Sequence, residues 1–322
     1  MDRIGEILKL LREKDDYVSG DSMAEALGIS RTAVWKYIKA LEKTGYIIDS
    51  IKGRGYRLTS TPGHLLPWEI ERFIESQIIG KDIIYKDIVD STNAYAFNLA
   101  LSGRPEGTCV VAEAQRAGRG RLGRVWFSPR NKNIYISVIL RPSEHPSRIY
   151  PITFLSCLAV YDTIKKVTGQ APSLKWPNDV LMNGKKVCGT LLEISAETDA
   201  IKFVVVGIGF NINMDISDLD EYLRDKATSL YIETKKIYER PYICGILLSY
   251  MDKYYKIFLE SSGDEICRLW ESKAGIKGRY MEVNQMGEIN KGIALGIDIT
   301  GALLLDVDGN IRRIIAGDTE FQ

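Results

Sequence analysis

Residues 110–128, VVAEAQRAGRGRLGRVWFS, restrict the possible folds of this chain more than any other stretch. Two valines lead into a loop in which Gly118, Gly120 and Gly123 are interleaved with Arg119, Arg121 and Arg124. Glycine lets a backbone turn tightly and approach a ligand closely. Arginine presents permanent charge and planar donors that match carboxylate and phosphate oxygens. Together they predict an anion cradle that stays mobile until its ligand arrives. The glycines also satisfy G-x-G-x-x-G, whose dinucleotide-binding use requires a helix to open inside the motif. Here Val125-Trp126-Phe127 and Ser128-Pro129 follow, then the alternating Ile134-Tyr135-Ile136-Ser137-Val138, which predicts a strand. The Rossmann reading is therefore rejected. A merely solvated basic loop is disfavoured by Trp126 and Phe127, large aromatics suited to a pocket wall.

A length of 322 residues predicts two or three domains. The net charge of +1 argues against a wholly basic nucleic-acid binder. There is no apolar run of about 18 residues to span a membrane, and the first residues are too charged for a secretory leader. Cys109, Cys157, Cys188, Cys244 and Cys267 are scattered without a C-x-x-C pair. They are expected to be small buried hydrophobes in a reducing cytoplasm. The two histidines, His64 and His145, lie in Pro-flanked loops, so a His-based triad or metal centre is not expected.

Residues 1–60 read as a separable unit. Ile4, Ile7, Leu8 and Leu11 form the stripe of an amphipathic helix. Residues 22–30 predict a short helix, a turn at Gly28 and a Ser30 N-cap for a helix over 31–44. Helix, glycine turn, helix is the helix-turn-helix pattern, and strand-like pieces at 46–48 and 55–58 make it winged. Residues 1–30 carry a net charge of −3, whereas residues 31–57 carry +5. The positive charge thus falls on the recognition helix and wing, where phosphates and base edges would lie. Arg31, Thr32, Trp35 and Lys36 are the expected groove contacts. A winged helix can instead serve protein interaction, and a basic helix can simply be solvated; the charge split favours DNA.

After a linker at 59–63, Pro67 predicts a helix through about Glu75. A strand over 83–88 ends in Asp90-Ser91-Thr92-Asn93, before a helical run over 94–101. Ser91 or Thr92 suits an N-cap, and the same hydroxyls suit a polar ligand head at the helix N-terminus; both readings stand. Thr153–Thr168 predicts an apolar helix, and Asn183-Gly184 predicts a hairpin whose return strand begins Lys185-Lys186. A lone hairpin lysine is usually solvated, so Lys186 carries little weight by itself. Ile201–Ile208 predicts a fully buried strand that opens into Gly207–Asn213, a candidate ligand floor. Met214–Glu233 is polar and acidic, a candidate mobile lid. Pro241 opens a long apolar helix, and short strands from about Ser272 onward predict a small β-barrel.

These stretches closely resemble the bifunctional biotin protein ligases that double as biotin-operon repressors. The resemblance covers nearly the whole chain. It rests on Asp90-Ser91-Thr92-Asn93, on Gln115 with Gly118–Trp126, and on Lys175-Trp176-Pro177-Asn178-Asp179. Lys186 with Gly189, then Gly207-x-Gly209-x-Asn211, and the barrel's Gly301–Leu305 complete the set. It implies an α+β multidomain chain: a winged helix-turn-helix at 1–60, a catalytic domain at 66–270 related to class II aminoacyl-tRNA synthetases, and an SH3-like barrel at 272–322.

The resemblance also implies the chemistry. Biotin and ATP would give biotinyl-5′-AMP and pyrophosphate, and the biotinyl group would pass to a lysine of the biotin carboxyl carrier protein of acetyl-CoA carboxylase. An anionic carboxylate must approach an anionic phosphate, so positioning and charge neutralisation are the main demands. Ser91, Thr92, Asn93 and Gln115 would hold the biotin rings, and Arg119, Gly120 and Arg121 would close over the ligand. Lys186 would meet the carboxylate and α-phosphate; Arg121 and Lys186 are the expected catalytic pair. Gly118, Arg124, Trp126, Asn178 and Asn211 would serve ATP, and Asp179 would help bind Mg²⁺. A homodimer with biotinyl-5′-AMP as corepressor would bind operator DNA. Leu122 stands where some relatives carry an extra basic residue, and Ala94 where others carry a polar one. A lipoyl or octanoyl transferase of the same central fold does not usually carry the winged helix or this loop. A biotin sensor without catalysis would not need both Arg121 and Lys186.

Overall fold

The computed structural model describes residues 3–14, 16–197, 200–285 and 287–321. The chain opens with α1 (Arg3–Arg12), α2 (Gly20–Leu27), α3 (Arg31–Lys43), β1 (Ile47–Ile51) and β2 (Gly55–Ser60). Ser19 Oγ accepts from Ser22 N at 3.0 Å and Ser30 Oγ from Ala33 N at 3.1 Å, so each helix of the motif starts on a serine cap. Gly28 ends α2 at φ 63°, the left-handed conformation a Cβ disfavours. Ile7, Leu8, Leu11, Met23, Val34, Ile38 and Leu41 form this unit's core. β1 and β2 pair antiparallel as the wing.

The helix expected from Pro67 to Glu75 is shorter: α4 (Pro67–Ile70) gives way to a 3₁₀ turn over Glu71–Phe73. The break turns Phe73 edge-on against Tyr242, with ring centroids 5.1 Å apart. Buried Glu69 on α4 docks the N-terminal unit. It pairs with Arg12 at 2.6 Å and Arg72 at 2.9 Å, and accepts from the Tyr46 hydroxyl. Trp68 Nε1 donates to that hydroxyl at 2.8 Å. Burial, together with the Glu69 carboxylate, pushes the Tyr46 phenol well above its ordinary value.

The central domain contains β3 (Asp82–Val89), α5 (Thr92–Leu101), β4 (Thr108–Gln115), β5 (Ile134–Leu140) and α6 (Pro151–Thr168). It continues with β6 (Ser173–Lys175), β7 (Asp179–Met182), β8 (Lys185–Ala196) and β9 (Ile201–Phe210). Then come α7 (Leu230–Thr234), α8 (Arg240–Ser261) and α9 (Asp264–Ala274). The seven strands run in the order β3-β4-β5-β9-β8-β7-β6, parallel between β3 and β4 and antiparallel elsewhere. The apolar faces of α6, α8 and α9 share one large core with the sheet, while α5 packs Ala96 and Ala100 on Val110, Ile139, Phe203 and Val205. With elements on both faces, all of β5 is buried, even where its sequence alternates.

Helix α9, not expected as a separate element, buries Ile266, Cys267, Trp270 and Ala274. The expected lid, Met214–Glu233, consists of 3₁₀ turns at Ile216–Asp218 and Glu221–Leu223 followed by α7 on its Ser229 cap. Beneath the interdomain linker, Arg240 and Glu113 form a buried pair at 2.7 Å. Arg240 also donates to Gly63 O at 3.0 Å, and Glu113 accepts from Leu65 N at 2.7 Å.

A small antiparallel domain closes the chain: β10 (Tyr280–Gln285), β11 (Glu288–Ile297), β12 (Leu303–Val307), β13 (Asn310–Ile314) and β14 (Asp318–Phe321). Its order is β13-β12-β11-β10-β14. The last strand was not expected from the sequence. Thr319 Oγ1 donates to Trp176 O at 2.7 Å, and Trp176 Nε1 to Gly301 O at 3.2 Å, tying this domain to the catalytic one. All five cysteines are free and buried. No helix among the described residues is long and apolar enough to cross a membrane.

Candidate active site

A cleft of about 210 Å³ lies where α5, the glycine-arginine loop, the β7–β8 hairpin, the end of β9 and the lid converge. Ser91 N-caps α5, accepting from Ala94 N at 3.4 Å, and it also lines the cleft. Gln115, at the end of β4, accepts from Thr92 N at 2.9 Å and donates to Ser128 Oγ at 3.0 Å. This end of the cleft is polar and uncharged.

The loop folds back on itself. Gly120 N donates to Arg124 O at 2.7 Å, Trp126 N donates to Gly118 O at 2.9 Å, and Leu122 takes a left-handed φ of 55°. Leu122 and Val125 point to solvent, 65% and 83% exposed, so the loop tip has almost no apolar packing to fix it. Trp126 lies inward over Gly189 and Gly209. A Cβ on Gly209 would sit 2.3 Å from the indole, and one on Gly189 2.9 Å, so only glycine at these positions leaves room for the ring.

Lys186 owes its place to an irregularity. The β7–β8 pairing slips between Val180 and Leu181, leaving Val187 as an extra residue on β8. Residues three apart on a regular strand face opposite sides, and a bulge reverses that parity. Lys186 thus folds over Gly189 into the cleft, where a Cβ on Gly189 would come within 2.7 Å of its side chain. Its ammonium is 2.6 Å from Asp179 Oδ1 and 5.3 Å from the Trp126 ring centroid. Its backbone is gripped by the Met214–Glu233 segment: Lys186 N donates to Lys226 O at 2.8 Å and Thr228 N donates to Lys186 O at 2.9 Å.

Arg121 Nη1 donates to Asn178 Oδ1 at 3.1 Å, and Asn178 Nδ2 donates to Thr190 O at 2.6 Å. Asn211 donates to Thr228 O at 2.9 Å. Arg124 makes a two-point pair with Asp318, one arm at 3.1 Å. The Arg124 hydrogen bond holds the Asp318 carboxyl below its ordinary value of 3.8. Burial pushes the Cys157 thiol up to about 12 and raises Cys188 as well, so neither is disposed to act as a thiolate nucleophile.

Ser91, Thr92, Asn93, Gln115, Arg119, Gly120, Arg121, Arg124, Trp126, Asn178, Asp179, Lys186 and Asn211 all line the one cleft. Gly118 does not line it. A Cβ there would lie 2.5 Å from Trp126 O and 2.8 Å from Ser128 Oγ, so its place is in the loop's own closure. The sequence reading missed Lys226 on the lid as a lining residue, and Asp318 on β14. Neither has a local signal, since each arrives through tertiary packing. Among the described residues no three His, Cys, Asp or Glu side chains are grouped to hold a metal ion. Asp179 offers one carboxylate, the usual protein share for Mg²⁺ that arrives with nucleotide phosphates. Arg31, Thr32, Trp35 and Lys36 are exposed on one face of α3, opposite buried Val34, Ile38 and Leu41.

A cation-rich cleft with a polar neutral end, on a mixed sheet between a winged helix and a small β domain, defines the class. The chain belongs to the biotin protein ligase family. Residues 85–211 match the model of the biotin/lipoate A/B protein ligase family, residues 3–57 an HTH domain and residues 282–321 the biotin protein ligase C terminal domain. More particularly, it is 39% identical over 306 residues to the bifunctional ligase/repressor BirA of Bacillus spizizenii, covering 95% of this chain and 94% of that one. The Escherichia coli bifunctional ligase/repressor BirA is 28% identical over 307 residues, with 95% and 94% covered. Among solved structures, the Aquifex aeolicus biotin protein ligase in complex with biotin and ATP superposes with a TM-score of 0.64 at 31% identity. That match spans 75% of this chain and 99% of that one.

Proposed function

We propose that this chain is an ATP-dependent biotin protein ligase that also acts as a biotin-responsive repressor in the cytoplasm. The observation that carries the ligase reading is the convergence of Arg119, Arg121 and Lys186 on one cleft between the Ser91–Asn93 end and Trp126. In the first step a biotin carboxylate oxygen attacks the α-phosphorus of ATP. The bond to the β-phosphate breaks and pyrophosphate leaves. Both reactants are anions, so fixed cations at the point of attack lower the barrier most. Lys186 is in reach of that point and Arg121 closes over it. Ser91, Thr92, Asn93 and Gln115 take the biotin rings, with Arg119 and Gly120 over them. Trp126, Arg124, Asn178 and Asn211 take the nucleotide, with Gly118 shaping the loop. Asp179 would hold Mg²⁺, which would supply charge neutralisation at the phosphates. In the second step a lysine amine of the biotin carboxyl carrier protein attacks the mixed anhydride and AMP leaves. No side chain of this chain acts as a nucleophile.

For repression, two chains carrying biotinyl-5′-AMP would pair, so that two α3 helices reach a palindromic operator. The α3 face and the positive wing support that reading. The deciding experiment is biotin-dependent exchange of labelled pyrophosphate into ATP, with lipoate as the control acid. Exchange with biotin alone is expected. Exchange with lipoate instead would make the chain a lipoyl enzyme, and exchange with neither acid would leave a sensor without chemistry.

A further inference from the structure

Asn93 is held from three sides. Its Nδ2 donates to Glu193 Oε2 at 2.8 Å and to Leu191 O at 3.4 Å, and its Oδ1 accepts from Ser137 Oγ at 2.6 Å. On the fourth side Gly207 is bare, since a Cβ there would lie 2.1 Å from Oδ1. A primary amide has two N–H donors and two carbonyl lone pairs. Both donors are taken, so the only capacity Asn93 still has is the second lone pair on Oδ1. The Glu193 carboxylate and the Leu191 carbonyl can only accept, so they fix which way round the amide sits, the carboxylate by the shorter bond, 2.8 Å against 3.4 Å. Ser137 stands 2.9 Å from Thr92 Oγ1, Thr92 N donates to Gln115 Oε1, and Gln115 donates to Ser128, which donates to Trp126 O at 2.9 Å. Asn93 therefore presents a fixed acceptor at the cleft's neutral end, beside Thr92 and Gln115.

We propose that Glu193, which is not among the cleft-lining residues, is a positioning residue for ligand recognition: it orients Asn93 as an acceptor for a ring N–H of the ligand. The inference rests on the ligase reading, in which that ring is the cyclic urea of biotin.

The test uses the full chain and pyrophosphate exchange. Glu193→Ala frees the amide to turn, and the KM for biotin is expected to rise about tenfold, or 1.4 kcal/mol. The KM for ATP and kcat should stay within about twofold of the parent, because no cation is touched. Glu193→Gln keeps an acceptor for Nδ2 and should recover most of the loss. The parent should also discriminate biotin from biotin methylated on a urea nitrogen, and Glu193→Ala should lose much of that discrimination. An unchanged biotin KM in Glu193→Ala overturns the proposal. So does Glu193→Gln being as impaired as Glu193→Ala, since charge and not orientation would then matter. Failure of the parent to exchange with biotin would instead remove the ligase reading on which the inference stands.

Discussion

Gly209→Ala places a methyl group 2.3 Å from the Trp126 ring and 2.4 Å from its Nε1, against backbone that cannot yield because β9 lies between β5 and β8. An ordinary contact between heavy atoms needs roughly 3.5 Å, so the indole must withdraw by about 1 Å or more. In the ligase reading Trp126 takes the nucleotide, and its ring would offer a stacking surface to the adenine. Base–aromatic stacking contributes about 1–3 kcal/mol, which corresponds to roughly a 5- to 150-fold rise in KM for ATP at tenfold per 1.4 kcal/mol. The KM for biotin should move much less, because the Ser91–Gln115 end is untouched. Pyrophosphate exchange at varied ATP measures this directly. The decisive control is a double-mutant cycle with Trp126→Ala. If the methyl acts through the ring, Gly209→Ala adds almost nothing once the ring is gone. Full additivity of the two losses, or an unchanged KM for ATP in Gly209→Ala, would refute the reasoning.

Lys186→Ala should lower kcat for adenylate formation by about 10²–10³, the usual effect of removing one group that stabilises developing charge. Single-turnover formation of biotinyl-5′-AMP reads it, and near-parental rates would end the role given to Lys186. Lys36→Ala on α3 should weaken operator binding and reduce the salt slope of the affinity by about one unit, measured by titration over a salt series. Acid stability offers a further test at Asp252. Burial pushes this carboxyl up, but hydrogen bonds from Ile79 N, Lys256, Gln77 N and Ile78 N outweigh that and hold it below 3.8. The folded chain then binds fewer protons there than the unfolded chain, so the contribution is complete above that ordinary value and is lost as pH falls through the lowered one. Scanning calorimetry from pH 7 to 3 should show Tm falling at the acid end, and the acid-dependent part of that fall should shrink in Asp252→Asn.

Much of this molecule was legible as local pattern. The capped helices of the N-terminal unit follow from Ser30, Gly28 and a stripe of apolar residues, because caps and periodicity are local properties. The charge split between residues 1–30 and 31–57 is legible in the same way, and the positive part falls on α3 and the wing. The rejection of a dinucleotide fold also stands, since the glycine-arginine loop runs into β5 and not into a helix. Boundaries moved: the helix after Pro67 ends at Ile70, and Phe73 in the turn beyond it packs edge-on against Tyr242.

What the sequence could not decide was which side chains share a space. Lys186 read alone is a hairpin lysine; only the bulge at Val187 turns it onto Gly189 and into the cleft. Asp318 comes to Arg124 from 194 residues away, and Glu193 comes to Asn93 from 100. A motif records spacing along the chain, which fixes local conformation. Strand register, bulges and domain docking place residues that are far apart in the chain against one another, and those depend on the whole core being assembled.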